Sequence, residues 1–141
     1  MKKIAVVYWS GTGNTEAMAY AVADGVKSAG GEGAVFTPSE FDEGKLAEFD
    51  AVAFGCPAMG AEELEDGEFA PLFETCKPLL SGKTVGLFGS YGWGDGEWMR
   101  LWQDDVDACG AKRIGEGVIC NEAPDDEAKE ACRALGKALC E

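Results

Sequence analysis

Residues 3–9, Lys-Ile-Ala-Val-Val-Tyr-Trp, form a short continuous apolar run that breaks at once into Ser10, Gly11, Thr12, Gly13, Asn14 and Thr15. A run of this kind marks a strand covered on both faces, as in a parallel sheet. A helical pattern then begins at Glu16, so a row of unpaired backbone N–H groups is aimed at one point. Such a strand, loop and helix start holds an anion without any lysine. The helix N-terminus supplies partial positive charge, and the glycines let the backbone approach closely.

The rest of the chain repeats the alternation. Met18, Ala19, Val22, Ala23 and Val26 recur at helical spacing up to Gly30 and Gly31. Residues 34–37 are expected as a second strand, 44–49 as a helix and 51–55 as a third strand ending in Cys56, Pro57, Ala58, Met59, Gly60 and Ala61. Phe69, Leu72, Phe73 and Cys76 make a helical stripe. Residues 84–88 form a fourth strand, followed by a glycine-rich stretch, residues 89–96. Residues 98–109 read as a helix, 114–120 as an uninterrupted fifth strand and 125–139 as a closing helix. Five strands alternating with helices, each connection long enough for a right-handed crossover, specify a doubly wound α/β domain spanning residues 1–141. In such sheets ligands sit at the carboxyl ends of the strands, where three loops converge here: residues 10–15, 56–63 and 90–96.

Composition narrows the chemistry. The 141 residues contain no histidine, which removes Ser-His-Asp and Cys-His catalysis. The six cysteines lack any Cys-x-x-Cys pair, so zinc and iron–sulfur sites are not expected, and the thiols read as reduced core or mildly exposed residues. No apolar run approaches the ~20 residues of a membrane span, and the first segment is too short for a signal peptide; the expected location is cytoplasmic. Asp and Glu number 26 against 12 Lys and Arg, a net charge of −14. That argues against nucleic acid; it either steers toward basic protein partners or serves solubility alone.

Several anion-binding patterns fail. Glu16 stands where the dinucleotide fingerprint has its third glycine, and no Walker lysine follows the first loop. Gly82-Lys83-Thr84 imitates the end of a Walker motif, but Lys77 takes the place of its first glycine and a strand follows. A receiver domain needs acidic residues where Ser10-Gly11 and Gly55-Cys56 stand. A Cys-x5-Arg phosphatase needs arginine where Glu62 and Gly115 stand.

Ser-Gly-Thr-Gly-Asn-Thr after the first strand, Met-Gly-Ala-Glu-Glu-Leu-Glu after the third, and Gly-Ser-Tyr-Gly-Trp-Gly-Asp-Gly after the fourth resemble the three flavin-binding loops of flavodoxin. The likeness covers essentially the whole chain and points to the short-chain flavodoxins of anaerobic, clostridial-type bacteria, with the fifth strand uninterrupted. It implies noncovalently bound FMN and strand order 2-1-3-4-5. By resemblance, Ser10, Thr12, Asn14 and Thr15 supply donors to the 5′-phosphate, Gly11 and Gly13 permit its approach, and Ser90 adds a contact. Pro57 stands where some relatives have a serine, which removes one hydroxyl. Asn121 resembles a ribityl contact. Met59 and Trp93 resemble the pair that sandwiches the isoalloxazine, within the loops carrying Ala58, Tyr91, Gly92 and Gly94, and Glu62 the carboxylate that accepts from N3–H.

In the family the peptide after the glycine of Met59-Gly60-Ala61-Glu62 turns its carbonyl toward N5–H on one-electron reduction. Glycine at Gly60 suits the first central position of a type II′ turn, whereas type II would want it at Ala61. A stabilised neutral semiquinone is therefore expected. A carboxylate ~10 Å from the ring opposes further negative charge by about 1.7 kcal/mol at an effective dielectric of ~20, roughly 70 mV for one electron. Glu62, Glu63, Glu65, Asp66 and Asp95 are the candidates, and a low-potential semiquinone/hydroquinone couple follows.

The resemblance thus implies a monomeric, low-potential one-electron carrier, not an enzyme. Its partners would be basic-surfaced redox proteins: a ferredoxin/flavodoxin reductase, pyruvate oxidoreductase or hydrogenase, with no nucleic acid or membrane. The competing reading is a flavodoxin-like FMN-dependent quinone or NAD(P)H reductase. Enzymes of that kind usually add loops or an oligomer interface to build a substrate site, and the connections here are short.

Overall fold

The computed structural model describes residues 2–59, 63–92 and 94–141. Strand β1 (Lys3–Tyr8) leads into α1 (Asn14–Ser28), followed by β2 (Glu32–Phe36), a 3-10 turn at Pro38–Glu40 and the short helix α2 (Glu43–Leu46). After β3 (Ala51–Gly55) come α3 (Phe69–Cys76) with a 3-10 turn at Lys77–Leu79, β4 (Thr84–Tyr91) and α4 (Glu97–Ala108). The chain closes with β5 (Lys112–Arg113), β6 (Val118–Asn121) and α5 (Asp126–Leu139). All strand pairs are parallel and their order is β2-β1-β3-β4-β5, with β6 continuing on the outer edge of β4. The expected doubly wound fold and strand order are both present.

The apolar runs explain the two layers. Alternate residues of a strand point to opposite faces. Ala5, Val7, Val52, Phe54, Val85 and Leu87 pack against α3 and α4 through Phe69, Phe73, Trp98 and Trp102. Ile4, Val6, Tyr8, Ala51, Ala53 and Phe88 pack against α1 and α5 through Met18, Val22, Val26, Cys132, Leu135 and Leu139. The two helices on that side lie unusually close: a Cβ on Gly25 or Gly136 would sit 2.0 or 2.1 Å from the facing backbone carbonyl of Arg133 or Val22. Cys56, Cys76 and Cys132 are buried, the other three cysteines are half-buried, and all six are free thiols.

The edge of the sheet departs from expectation. The fifth strand is not continuous over 114–120. Between the pairs Val85↔Arg113 and Phe88↔Val118, β4 advances three residues while the edge chain advances five. Gly115, at φ 58°, turns the backbone out of the extended region, and the Gly117 N–H leaves the sheet to donate to Gln103 Oε1 on α4 at 2.6 Å. Such a bulge kinks and blunts an exposed edge. The elements also differ at their ends. Helix α1 starts at Asn14 rather than Glu16, β2 starts at Glu32, α2 stops at Leu46, and β4 continues through Ser90 and Tyr91. Among the described residues no helix is long and apolar enough to cross a membrane.

Register sets the site. Tyr8, Gly55, Phe88 and Val118 form one row across four strands. The ladder runs beyond them through Trp9 N–H to Gly55 O at 3.0 Å, Cys56 N–H to Phe88 O at 3.1 Å and Ala58 N–H to Ser90 O at 3.1 Å. The loops that follow β1, β3 and β4 therefore leave the sheet side by side.

Candidate functional site

At the end of β1 the chain turns within residues 9–13 into α1. Gly13 caps the helix at φ 96°, a left-handed conformation that suits glycine. Ser10 Oγ accepts from Gly13 N–H at 3.0 Å, and Thr12 Oγ1 accepts from Asn14 N–H at 3.4 Å. These two hydroxyls hold the turn itself. Among the described residues the N–H groups of Thr12 and Thr15 have no partner, and they stand at the positive end of the 15-residue α1. Thr15 is 1% exposed, and its Oγ1 accepts from Ser90 N–H at 3.4 Å, tying α1 to β4. Ser90 Oγ in turn donates to the Glu122 carbonyl at 2.6 Å. Glu122 holds φ 59°, a left-handed conformation that is costly for a residue with a side chain.

The loop after β3 is framed differently. Met59 and Glu63 form an antiparallel bridge, N–H to O in both directions at 2.8 and 3.0 Å. Below it, Cys56 Sγ accepts from Glu65 N–H at 3.3 Å, and the Cys56 carbonyl accepts from Trp98 Nε1 at 3.1 Å. The Glu65 carboxylate accepts from the N–H groups of Gly67, Glu68 and Phe69, each at 2.8 Å, so it caps α3 from outside the helix. Burial pushes this carboxyl up, but the three amide hydrogen bonds outweigh that and hold it below the usual range. Burial also pushes the Cys56 thiol up to about 12, so it acts as an apolar brace and not as a nucleophile. Gly60, Ala61, Glu62 and Trp93, on which the turn, N3 and stacking expectations fall, lie outside the described residues.

Between the two loops is a cleft of about 220 Å³. Gly11, Thr12 and Asn14 line one end, Pro57, Ala58 and Met59 the other, and Ser90, Tyr91 and Gly92 the floor and side. Ser10, Gly13 and Thr15 do not line the cleft; they brace its lining loops through the Gly13–Ser10 and Ser90–Thr15 hydrogen bonds. Asn121 stands apart: its Nδ2 donates to Tyr91 O at 3.2 Å, and it lines a separate groove between β6 and α5. Gly94 is exposed and does not line the cleft. Larger depressions exist at β6–α5 and beside Phe36; the first includes the start of α5 but only Tyr91 from the three loops, and the second includes none of them.

Two lining residues were not singled out in the sequence. Trp9 reads as the last strand residue, yet its ring reaches within 3.0 Å of the place a Cβ on Gly11 would occupy. Its position at the carboxyl end of β1 was the available signal. Glu122 lies past the last strand and gave no signal; only the strained backbone at φ 59° shows that it is held in place.

Among the described residues no Lys or Arg lines the cleft. Of the acidic candidates, Glu65 is taken up in capping, Asp95 pairs with Arg100 at 3.1 Å, and Glu63 and Asp66 have no ion pair among the described residues, outside which Glu62 lies. Among the described residues no cluster of His, Cys, Asp or Glu could hold a metal. The site offers unengaged amides from the start of α1 and apolar walls from Trp9, Ala58, Met59 and Tyr91, with Glu122 the one acidic residue lining it among the described residues. Those features fit a phosphorylated, flat aromatic cofactor.

The comparisons agree with that geometry. The family model described as flavodoxin matches residues 6–136. The chain is 48% identical over 137 residues to the flavodoxin of Megasphaera elsdenii, covering 96% of each chain. It is 42% identical over 134 residues to that of Clostridium beijerinckii, covering 95% of this chain and 96% of the other. The solution structure of two-electron reduced Megasphaera elsdenii flavodoxin superposes with a TM-score of 0.89 at 47% identity, covering 96% of this chain and 97% of that one. The chain belongs to the flavodoxin family, in its short-chain, clostridial-type branch, and its cofactor is FMN.

Proposed function

We propose that the protein is a low-potential one-electron carrier that works on the lower of the two one-electron couples of FMN. It delivers electrons to basic-surfaced redox proteins of the ferredoxin/flavodoxin reductase, pyruvate oxidoreductase or hydrogenase type, as a cytoplasmic monomer. Bound FMN supplies the redox chemistry; the protein supplies position and field. The observation that carries this reading is a cleft lined, among the described residues, by neutral donors and apolar walls with no cation; Glu63, bridged to Met59 of its wall, and Asp66 farther along the same loop have no ion pair among the described residues. Neutral donors hold the phosphate and leave its charge intact, and the two carboxylates oppose added negative charge on the ring.

In this reading Ser10, Thr12, Asn14 and Thr15 orient the phosphate, with Gly11 and Gly13 giving it room and Ser90 closing the far side. Thr15 acts chiefly by bracing Ser90. Ala58, Met59, Tyr91 and Gly92 wall the ring, and Gly60, Ala61, Glu62, Trp93 and Gly94 complete its surroundings. Asn121 fixes the end of β4 through Tyr91 and reaches the ribityl chain only through that contact.

Anaerobic reductive titration tests the carrier reading. Two separated one-electron steps are expected, the second at a markedly lower potential; one concerted two-electron step overturns it. Purified protein should leave NAD(P)H unoxidised until a reductase is added, whereas rapid oxidation by the protein alone would make it a reductase.

A further inference from the structure

Glu16 is the third residue of α1, after Asn14 and Thr15, where a glutamate ordinarily folds back onto the N–H of the capping residue. A carboxylate is favoured anywhere in that first turn, because the same dipole and amides that attract a ligand phosphate attract it. Helix α1 therefore carries an internal competitor for its own anion site. In this structure the competitor is turned away. The Gly13 N–H that Glu16 would take donates to Ser10 Oγ at 3.0 Å. The Glu16 carboxylate instead accepts from the Tyr8 hydroxyl at 2.7 Å.

Tyr8 is the last residue of β1, 6% exposed and packed with the α1–α5 side of the core, so its hydroxyl is held in place. With Tyr8, Ser10, Pro38 and Glu68, Glu16 lines a depression of about 310 Å³, and it does not line the FMN cleft. We propose that Tyr8 is a positioning residue that holds the Glu16 carboxylate off the phosphate cradle, so that the start of α1 receives a dianionic ester instead of its own side chain. This rests on the reading of residues 10–15 as the phosphate site. Burial first, then the hydrogen bond and charge of Glu16, with a smaller contribution from Tyr20, push the Tyr8 phenol well above its ordinary value. The hydroxyl stays a donor throughout the neutral range.

The test compares Tyr8→Phe, Glu16→Gln and the double variant as flavin-loaded proteins, reading the dissociation of FMN and of riboflavin, which lacks the phosphate, by recovery of flavin fluorescence on dilution. Tyr8→Phe should weaken FMN roughly three- to tenfold, the scale of one charge at a helix N-terminus, and leave riboflavin unchanged. In the Glu16→Gln background the same substitution should have no effect on either flavin. Glu16→Gln alone should change FMN release less than about twofold, because the carboxylate is already held away; that measurement stands even if Tyr8→Phe folds poorly. Equal weakening of both flavins by Tyr8→Phe, or an FMN loss that persists without the Glu16 charge, overturns the proposal. A wild-type protein that holds FMN no better than riboflavin would instead sink the phosphate-site reading on which it rests.

Discussion

At one end of the cleft β1 hands over to the 15-residue α1 within residues 9–13, and the side chains that brace the turn, Thr15 and Ser90, are 1% and 4% exposed. At the other end the chain leaves β3 at Gly55 and enters α3 only at Phe69. That longer path is held at its base by two side chains that bond to backbone, Cys56 Sγ and the Glu65 carboxylate, and by the Met59–Glu63 bridge. The first end is anchored in a helix that spans the core. The second is a loop framed by side-chain and bridge contacts on either side of residues 60–62. Under the proposed function the contrast predicts a division of labour, in which the α1 end sets how tightly FMN is held and the β3 end sets which redox state is favoured.

The largest expected effect is at the frame. Glu65→Ala removes the acceptor for three amides and should cost about 2 kcal/mol of stability, read by denaturant unfolding. It should move the upper couple while leaving the preference for FMN over riboflavin intact; a change in that preference alone would break the contrast. The same group predicts an acid response. Its folded pKa lies below its ordinary 4.5, so its contribution is complete above that value and is lost as pH falls through the folded pKa. Wild type should lose more stability than Glu65→Ala in that acid window, and the two should run parallel from pH 6 to 8.

Gly60→Ala comes next. If Gly60 occupies the glycine-favouring position of the turn, the substitution should cost about 1–2 kcal/mol in the favoured turn, lowering the upper potential by roughly 40–90 mV. An unchanged potential sinks the account of that loop. Thr15→Val probes the opposite end: the Ser90 N–H loses its acceptor inside the protein at a cost of about 1 kcal/mol. FMN should dissociate several-fold faster with both potentials unmoved, and a shifted potential would mean that the two ends are not separable. The smallest effect belongs to Glu63→Gln and Asp66→Asn. Each should raise the lower couple by a few tens of mV at low ionic strength, with less effect in high salt.

Much of the fold was readable because its determinants are local. The apolar runs of β1, β3 and β4, and the stripe Phe69, Leu72, Phe73 and Cys76 of α3, carry their own periodicity. The break between β5 and β6 was not readable. Residues 114–120 hold enough apolar side chains to read as one strand, and the kink depends on Gln103 of α4 drawing off the Gly117 N–H. The start of α1 was placed two residues late because Asn14 and Thr15 read as loop, whereas a left-handed Gly13 lets the helix begin at once.

The site divides along the same line. Ser10 and Thr12 could be singled out because hydroxyls in a glycine-rich turn after a strand suit an anion, and Met59 and Tyr91 because their loops resemble those of flavodoxin. Trp9 and Glu122 became visible only when the register aligned the ends of β1, β3, β4 and β6. Glu65 could be counted as one more negative charge, yet the structure uses it as a helix cap, since a carboxylate four residues before Phe69 finds three free amides within reach. The sequence by itself determined the layer architecture, the anion-binding start of α1 and the three loops, because each follows from propensity and periodicity over a few residues. Only the tertiary structure decided which polar side chains line the cleft and which brace its walls, because hydrogen bonds such as Thr15 to Ser90 and Tyr8 to Glu16 depend on how strands and helices pack.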